Sequence, residues 1–363
     1  MHFKKILCAA VSAAMLFSLA ACGKNDDSSQ ADVDDLTPVS SGAVHVNARN
    51  PLTGLYDLAL DKVDARPVGV MVNNLRPDAW GVQTGVDDAD LVYEMVAEGG
   101  ITRFFCLYQD ISKVSNIGSV RSTRYSYGDL AVSHDALLVH CGMDELYARS
   151  HFQAIGVENY DLEYHESAGF RLENGEAYEH TLYTNGEQLA QILKDSDIRM
   201  TSDRGDKTWL NFSEPEDVHL PGGGACEKIS VPFSYGYTST FVYDSESGRY
   251  LKEQGGQPHR DYRSGKQLSV ENVFVLFTKV TDFPDAYHVK QDLTSGEGYY
   301  VSAGGYQKIK WEKGDASTPL SFTDESGNPL TCNAGQSWVC ITSNYNRDDV
   351  EIIGGASSES EQA

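Results

Sequence analysis

An excess of 53 Asp+Glu over 29 Lys+Arg in 363 residues gives a formal net charge of −24 at pH 7. That balance speaks against nucleic acid as a partner and against a charge-driven hold on anionic lipid. The length allows one large domain or two moderate ones with tails, enough for a sizeable core.

The chain opens on Lys4-Lys5, an apolar stretch from Ile6 to Ala21, and then Cys22. A positive start, a short apolar run and small residues before the cut read as a secretory signal over residues 1–21. The apolar stretch is shorter than the ~20 residues a membrane-spanning helix needs. Leu19-Ala20-Ala21-Cys22 resembles the lipobox of bacterial lipoproteins. The resemblance implies that Cys22 carries lipid, including palmitate-like acyl chains, and becomes the first residue of a chain held outside the cell membrane. Two or three acyl chains anchor a protein firmly where one does not.

Residues 22–48 are rich in Asp, Ser, Asn and Gly and are predicted to be a disordered tether with a reach of roughly 25–30 Å. The tail, 355–363, is Ser/Glu-rich and is read the same way. Five further cysteines remain: Cys106, Cys141, Cys226, Cys332 and Cys340. An odd number cannot all pair internally, and none forms a Cys-x-x-Cys motif. Cys106 and Cys141 sit in apolar runs and are expected in the core.

Folded sequence is expected from about residue 49. Val68 to Val72 is a short continuous apolar run, the pattern of a strand buried on both faces. Leu91 to Ala97 and Ile101 to Tyr108 flank Glu98-Gly99-Gly100 and read as a hairpin. A helix is predicted from about Ser122 to Ser133, a buried strand over Ala136 to Cys141, and a helix over Asp144 to Ala154. Thr184-Asn185-Gly186-Glu187 leads into a last helix ending near Lys194. These elements define a mixed α/β domain over 49–222. Beyond Gly222 the pattern turns to short strands around Gly-containing turns, including the long apolar run Val270 to Lys279 and hairpins at 299–312 and 322–331. That predicts a smaller, mainly antiparallel β domain over 223–354, so the fold class is α+β.

Four arginines concentrate oddly in this acidic chain: Arg76, Arg103, Arg121 and Arg124. Placed at the start of the predicted helix, Arg121 and Arg124 would share a face, with Ser119 or Ser122 as N-cap. Free N–H groups and guanidinium forks there suit a carboxylate or phosphate. Asn73 and Asn74, at the end of the first strand, would orient such a ligand. The alternative is that these arginines neutralise Asp90, Glu94 and Glu98 in internal ion pairs. Glu94 and Glu98 are too far apart along an extended strand, about 13 Å, for an easy acid/base pair. His140 ends a buried strand, where clefts form in such sheets, and His180 could bring a second imidazole there. No His or Cys spacing reads as a metal site, and no dinucleotide, P-loop or nucleophile-elbow motif occurs, so neither metal nor cofactor is expected.

Five stretches together resemble the YerB-like family of bacterial lipoproteins, a family of unknown function. They are Asn73-Asn74, Ala89-Asp90 through Tyr93-Glu94, Glu98-Gly-Gly-Ile-Thr-Arg103, Gly118 to Arg124, and His180 to Thr184. Ser119 stands where the family has Pro, and Thr181 where it has Asn. The likeness spans about residues 50 to 350 and implies two domains, without supplying a reaction. Three classes of function remain: a non-catalytic module binding an anionic envelope ligand or partner protein, an envelope hydrolase or transferase, and a scaffold for a membrane enzyme. The sequence favours the first.

Overall fold

The computed structural model describes residues 45–204 and 209–354. The signal segment, Cys22, most of the expected tether and the 355–363 tail lie outside the described residues.

The apolar run at 68–72 forms β1 (Val68–Asn73), every residue of it buried. The expected hairpin forms as β2 (Leu91–Val96) and β3 (Thr102–Tyr108), joined by a single turn at Glu98–Gly100. β1 lies antiparallel to β3 and parallel to β5 (Leu137–His140), which pairs in parallel with β6 (Asn159–Asp161). A separate small sheet joins β4 (Ile117–Gly118), β7 (Phe170–Arg171) and β8 (Leu182–Thr184), with β8 in the middle.

The second half of the chain extends the same main sheet. Strand Ser337–Ser343 runs parallel to β2 on one side and to Asn272–Thr278 on the other. Ser295–Ser302, Gly305–Glu312, Ser321–Asp324 and Gly224–Ala225 then add antiparallel strands, making eleven in all among the described residues. The second half also supplies a six-stranded antiparallel sheet built on Lys228–Ser234, Tyr237–Asp244 and Arg249–Gln254. The architecture is α+β, with its later strands mainly antiparallel.

Because side chains alternate along a strand, the main sheet buries two faces. One carries Val70, Val72, Phe104, Val275 and Trp338 onto Ile229, Val231, Phe241 and Tyr250 of the six-stranded sheet. The other carries Met71, Tyr93, Phe105, Phe274 and Ile341 onto Tyr127, Leu130, Phe152 and Trp209. That second layer is two helices, α1 (Tyr125–Ser133) and α2 (Ala148–Ile155), with Trp209 from a loop; α3 (Gly186–Lys194) packs elsewhere, on the first face.

Two expectations need correction. The helix predicted from Ser122 begins at Tyr125, with Arg124 as its N-cap and no side-chain cap. Arg121 and Thr123 are held instead by sheet-like bonds, Arg121 N to Met71 O at 3.0 Å and Thr123 N to Gly142 O at 3.1 Å. The hairpin expected over 322–331 also reduces to one bridge, Thr323 to Pro329. Thr331–Cys332 pairs with Asn211–Phe212 instead. All five described cysteines are free thiols.

Candidate functional site

The segment after β4 threads between the two sheets. Val120 N donates to Leu182 O of β8 at 2.7 Å, and Cys141 N, just past β5, donates to Arg121 O at 3.2 Å. Arg103 fixes the next residue, its Nη1 donating to Ser122 O at 2.7 Å. The predicted arginine cluster therefore divides. Arg103 and Arg124 both grip Glu98, at 2.5 Å each, with a further bond from Arg124 Nε at 2.7 Å. Burial alone would raise the Glu98 pKa, but the two guanidiniums overcome it and hold the carboxyl at about 2. Arg103 is itself lowered to about 10, chiefly by burial and then by Arg124. This triad is internal.

Arg121 is left over. Its Nε is buried without a hydrogen-bond partner, and Nη1 reaches only the Glu179 carbonyl at 3.3 Å. It lines a cleft of about 640 Å³ at the seam of the two sheets. The floor is built from residues directly after the carboxyl ends of β5 and β6: Cys141 and Gly142, Leu162 and Glu163. Strand ends of parallel sheets are where ligand crevices form. Gly142 has φ +73°, and a Cβ there would sit 3.2 Å from Ser122 Oγ and 3.3 Å from Glu163 Oε2. A bare glycine thus leaves the floor open between a hydroxyl and a carboxylate.

His140 and Asp161 hold that floor from behind. His140 Nδ1 lies 2.8 Å from Gly142 O, and Asp161 Oδ1 accepts the amides of Gly142 at 2.8 Å and Glu163 at 3.0 Å. His140 is wholly buried, which pushes its pKa down. The cleft walls add Phe170 and Leu182, with Arg171, Glu166, Tyr178 and Glu179. Arg171 stacks over the Tyr178 ring at 3.4 Å. The Cys141 thiol is pushed up by burial and by Asp161 and Glu163, which keeps it protonated at neutral pH.

The remaining expected residues lie in the core or elsewhere on the surface. Asn73 Nδ2 is 2.7 Å from His180 Nδ1, and Asn74 is bonded to Thr102, Gln83 and Gln254; all three of Asn73, Asn74 and His180 are buried. Glu94 accepts from Thr102 at 2.9 Å, Ser239 at 2.7 Å and Trp338 Nε1 at 3.0 Å. Lys252, fully buried, donates to Ser239 Oγ at 3.0 Å and lies 4.9 Å from the Trp338 ring. Burial lowers its pKa, while Glu94 works against that. This polar knot joins the two sheets. Arg76 is exposed, 5.5 Å over Trp80, with its amide on the Tyr237 hydroxyl.

Sequence reading missed Glu163, Glu166 and Arg171. Only Glu163 carried a signal, its place just past the carboxyl end of β6, where a strand aims its next residues into the crevice; Glu166 lies in the turn after it and Arg171 within β7. Among the described residues no three His, Cys, Asp or Glu side chains converge as a metal site.

Strand order, hairpin and arginine-bearing segment together define an α+β protein with a cleft at a sheet seam. Two family models match it: Protein of unknown function (DUF3048) N-terminal domain over residues 52–199, and the corresponding C-terminal domain over 229–339. The chain belongs to this YerB-like family, whose function is unknown. It is 27% identical over 301 residues to "Putative lipoprotein YerB" of Bacillus subtilis (strain 168), covering 80% of this chain and 85% of that one. It also superposes on the crystal structure of YerB protein from Bacillus subtilis with a TM-score of 0.71 at 23% identity. That match covers 85% of this chain and 100% of the other.

Proposed function

We propose that this chain is an extracytoplasmic lipoprotein, anchored through Cys22, whose cleft at Arg121 binds a carboxylate of an envelope ligand without turning it over. The observation that carries this reading is Arg121 itself, which lines a 640 Å³ cleft with its Nε unpartnered and only one hydrogen bond, from Nη1 to the Glu179 carbonyl. A guanidinium on a cleft wall with so few acceptors is matched by a carboxylate, whose two oxygens fit the fork of its Nη groups. Hydrolysis through Glu94 or Glu98 has little support, since both are occupied by internal donors. The lipid anchor is supported by the likeness to the Bacillus lipoprotein YerB and by the lipobox-like run at Leu19 to Cys22.

Binding of solubilised cell-wall peptides to the purified protein tests the reading. Arg121→Ala should cost about 2–5 kcal/mol of binding, as loss of a desolvated charged partner does, and leave the melting temperature nearly unchanged. A variant that binds normally but melts early would make Arg121 structural. Separately, Cys22→Ser should release the protein from the membrane fraction or leave an unprocessed precursor. Normal cleavage with unchanged membrane partitioning would refute the anchor.

A further inference from the structure

The cleft is not simply cationic. Arg121 and Arg171 share it with Glu163, Glu166 and Glu179, and none of these three carboxylates forms an ion pair among the described residues. A purely anionic ligand would meet more negative than positive charge there, which costs affinity. Glu163, an exposed residue, is the carboxylate nearest the glycine of the floor: its Oε2 flanks Gly142 alongside the Ser122 hydroxyl, and its amide is fixed by Asp161. Glu163 pushes the Cys141 thiol pKa up and Arg121 pushes it down, so both charges bear on the same point of the floor. Phe170, Leu162, Leu182 and Val120 give the same cleft an apolar wall.

We propose that the ligand is zwitterionic, a short peptide whose free carboxylate meets Arg121, whose ammonium meets Glu163, and whose side chains lie on the Phe170–Leu182 wall. The inference rests on the carboxylate reading of Arg121 above and adds the second charge. A guanidinium and a carboxylate facing one cleft recognise a molecule carrying both partners, and a molecule carrying only one leaves the other without its counterpart. The glycine at 142 matters here because any side chain would fill the space between Ser122 and Glu163.

The test is calorimetric titration of the purified full chain with alanyl-alanine, its N-acetyl derivative and its C-terminal amide. The free dipeptide should bind at least tenfold more tightly than either blocked form. Glu163→Gln should erase the preference for the free amine, and Arg121→Ala the preference for the free carboxylate. N-acetyl-alanyl-alanine binding as tightly as the free dipeptide would overturn the zwitterion and leave the carboxylate reading standing. The amide binding as tightly as the free dipeptide would instead remove the carboxylate reading beneath it. No saturable binding of the free dipeptide at millimolar concentration would also overturn the zwitterion. Gly142→Ala serves as a second variant, expected to weaken the free dipeptide when titrated well below its melting transition, which the φ of +73° lowers.

Discussion

At the scale of single residues, two sets of carboxyls pull the pH profile in opposite directions. Glu98 is held at about 2 against an ordinary 4.5, so its proton is bound less tightly in the folded chain. Its contribution is fully present above about pH 4.5 and is lost as pH falls toward 2. Asp87 and Asp90 are pushed up to about 7, Asp87 by burial and the nearby Asp261 and Asp88, Asp90 chiefly by burial with a smaller push from Asp57. Their folded forms favour the proton, so the stability they contribute is complete below about 3.8 and drains away as pH rises to about 7. From these groups stability should therefore be highest at about pH 4, where Glu98 is ionised and both aspartates are protonated, and should decline from there to about pH 7 in denaturant titrations. Asp90→Asn should flatten that decline; an unchanged slope would show that Asp90 is ionised in the folded chain. Glu98→Ala strands two buried guanidiniums beside each other and should cost about 3–5 kcal/mol, as breaking a buried pair does. If it costs under ~1 kcal/mol, the triad is solvated and Arg103 is free for other partners.

Among elements, the packing of α1 on α2 depends on a residue that helix propensity alone would remove. Gly128 lies mid-helix, where Ala is better by about 1 kcal/mol. Here a Cβ would sit 2.3 Å from the Phe152 ring of α2. Gly128→Ala should therefore destabilise, by roughly 1–3 kcal/mol for overpacking, and Gly128→Ala with Phe152→Leu should recover part of the loss. A stabilised single variant would mean that α2 yields freely. Sequence could not announce this contact, since it joins two helices through a strand. What sequence did announce followed from local pattern. The unbroken run at Val68 to Val72 and the Gly-Gly turn between Leu91 and Tyr108 each fix their own element without reference to anything distant. The start of α1 was misjudged because Ser119 and Ser122 look like caps, whereas the backbone of Arg121 and Thr123 is claimed by Met71 and Gly142. The Arg121 side of the site was legible as a concentration of charge. Its division into a triad with Glu98 and one residue left for the cleft depends on where Ser122 is pinned, and only the assembled sheets decide that. Lys252 carried no signal at all: an alternating strand gives no hint that a lysine will lie under a tryptophan 86 positions on in the neighbouring sheet.

For the molecule as a whole, the division expected near residue 222 falls between strands of one sheet. Ser337–Ser343 is seated between β2 and Asn272–Thr278, and Glu94 is hydrogen-bonded to Trp338, 244 residues along the chain. Limited proteolysis over residues 203–224 should give two fragments that elute together under native conditions and separate only in denaturant. Fragments that part on dilution and each keep a cooperative melting transition would establish two independent domains. The same interleaving sets an order in time. A chain is made from its N-terminus, so β2 emerges with β3 on one flank and nothing on the other, and must wait for nearly the whole folded body before Ser337–Ser343 arrives. Until then the edge beside Leu91 to Val96 is apolar and unpaired, the kind of surface on which strands of other chains add. Pairings this distant in sequence close slowly. The half-made chain is thus the vulnerable species, and holding it apart from its neighbours matters more to the yield of this protein than any single contact in the finished fold.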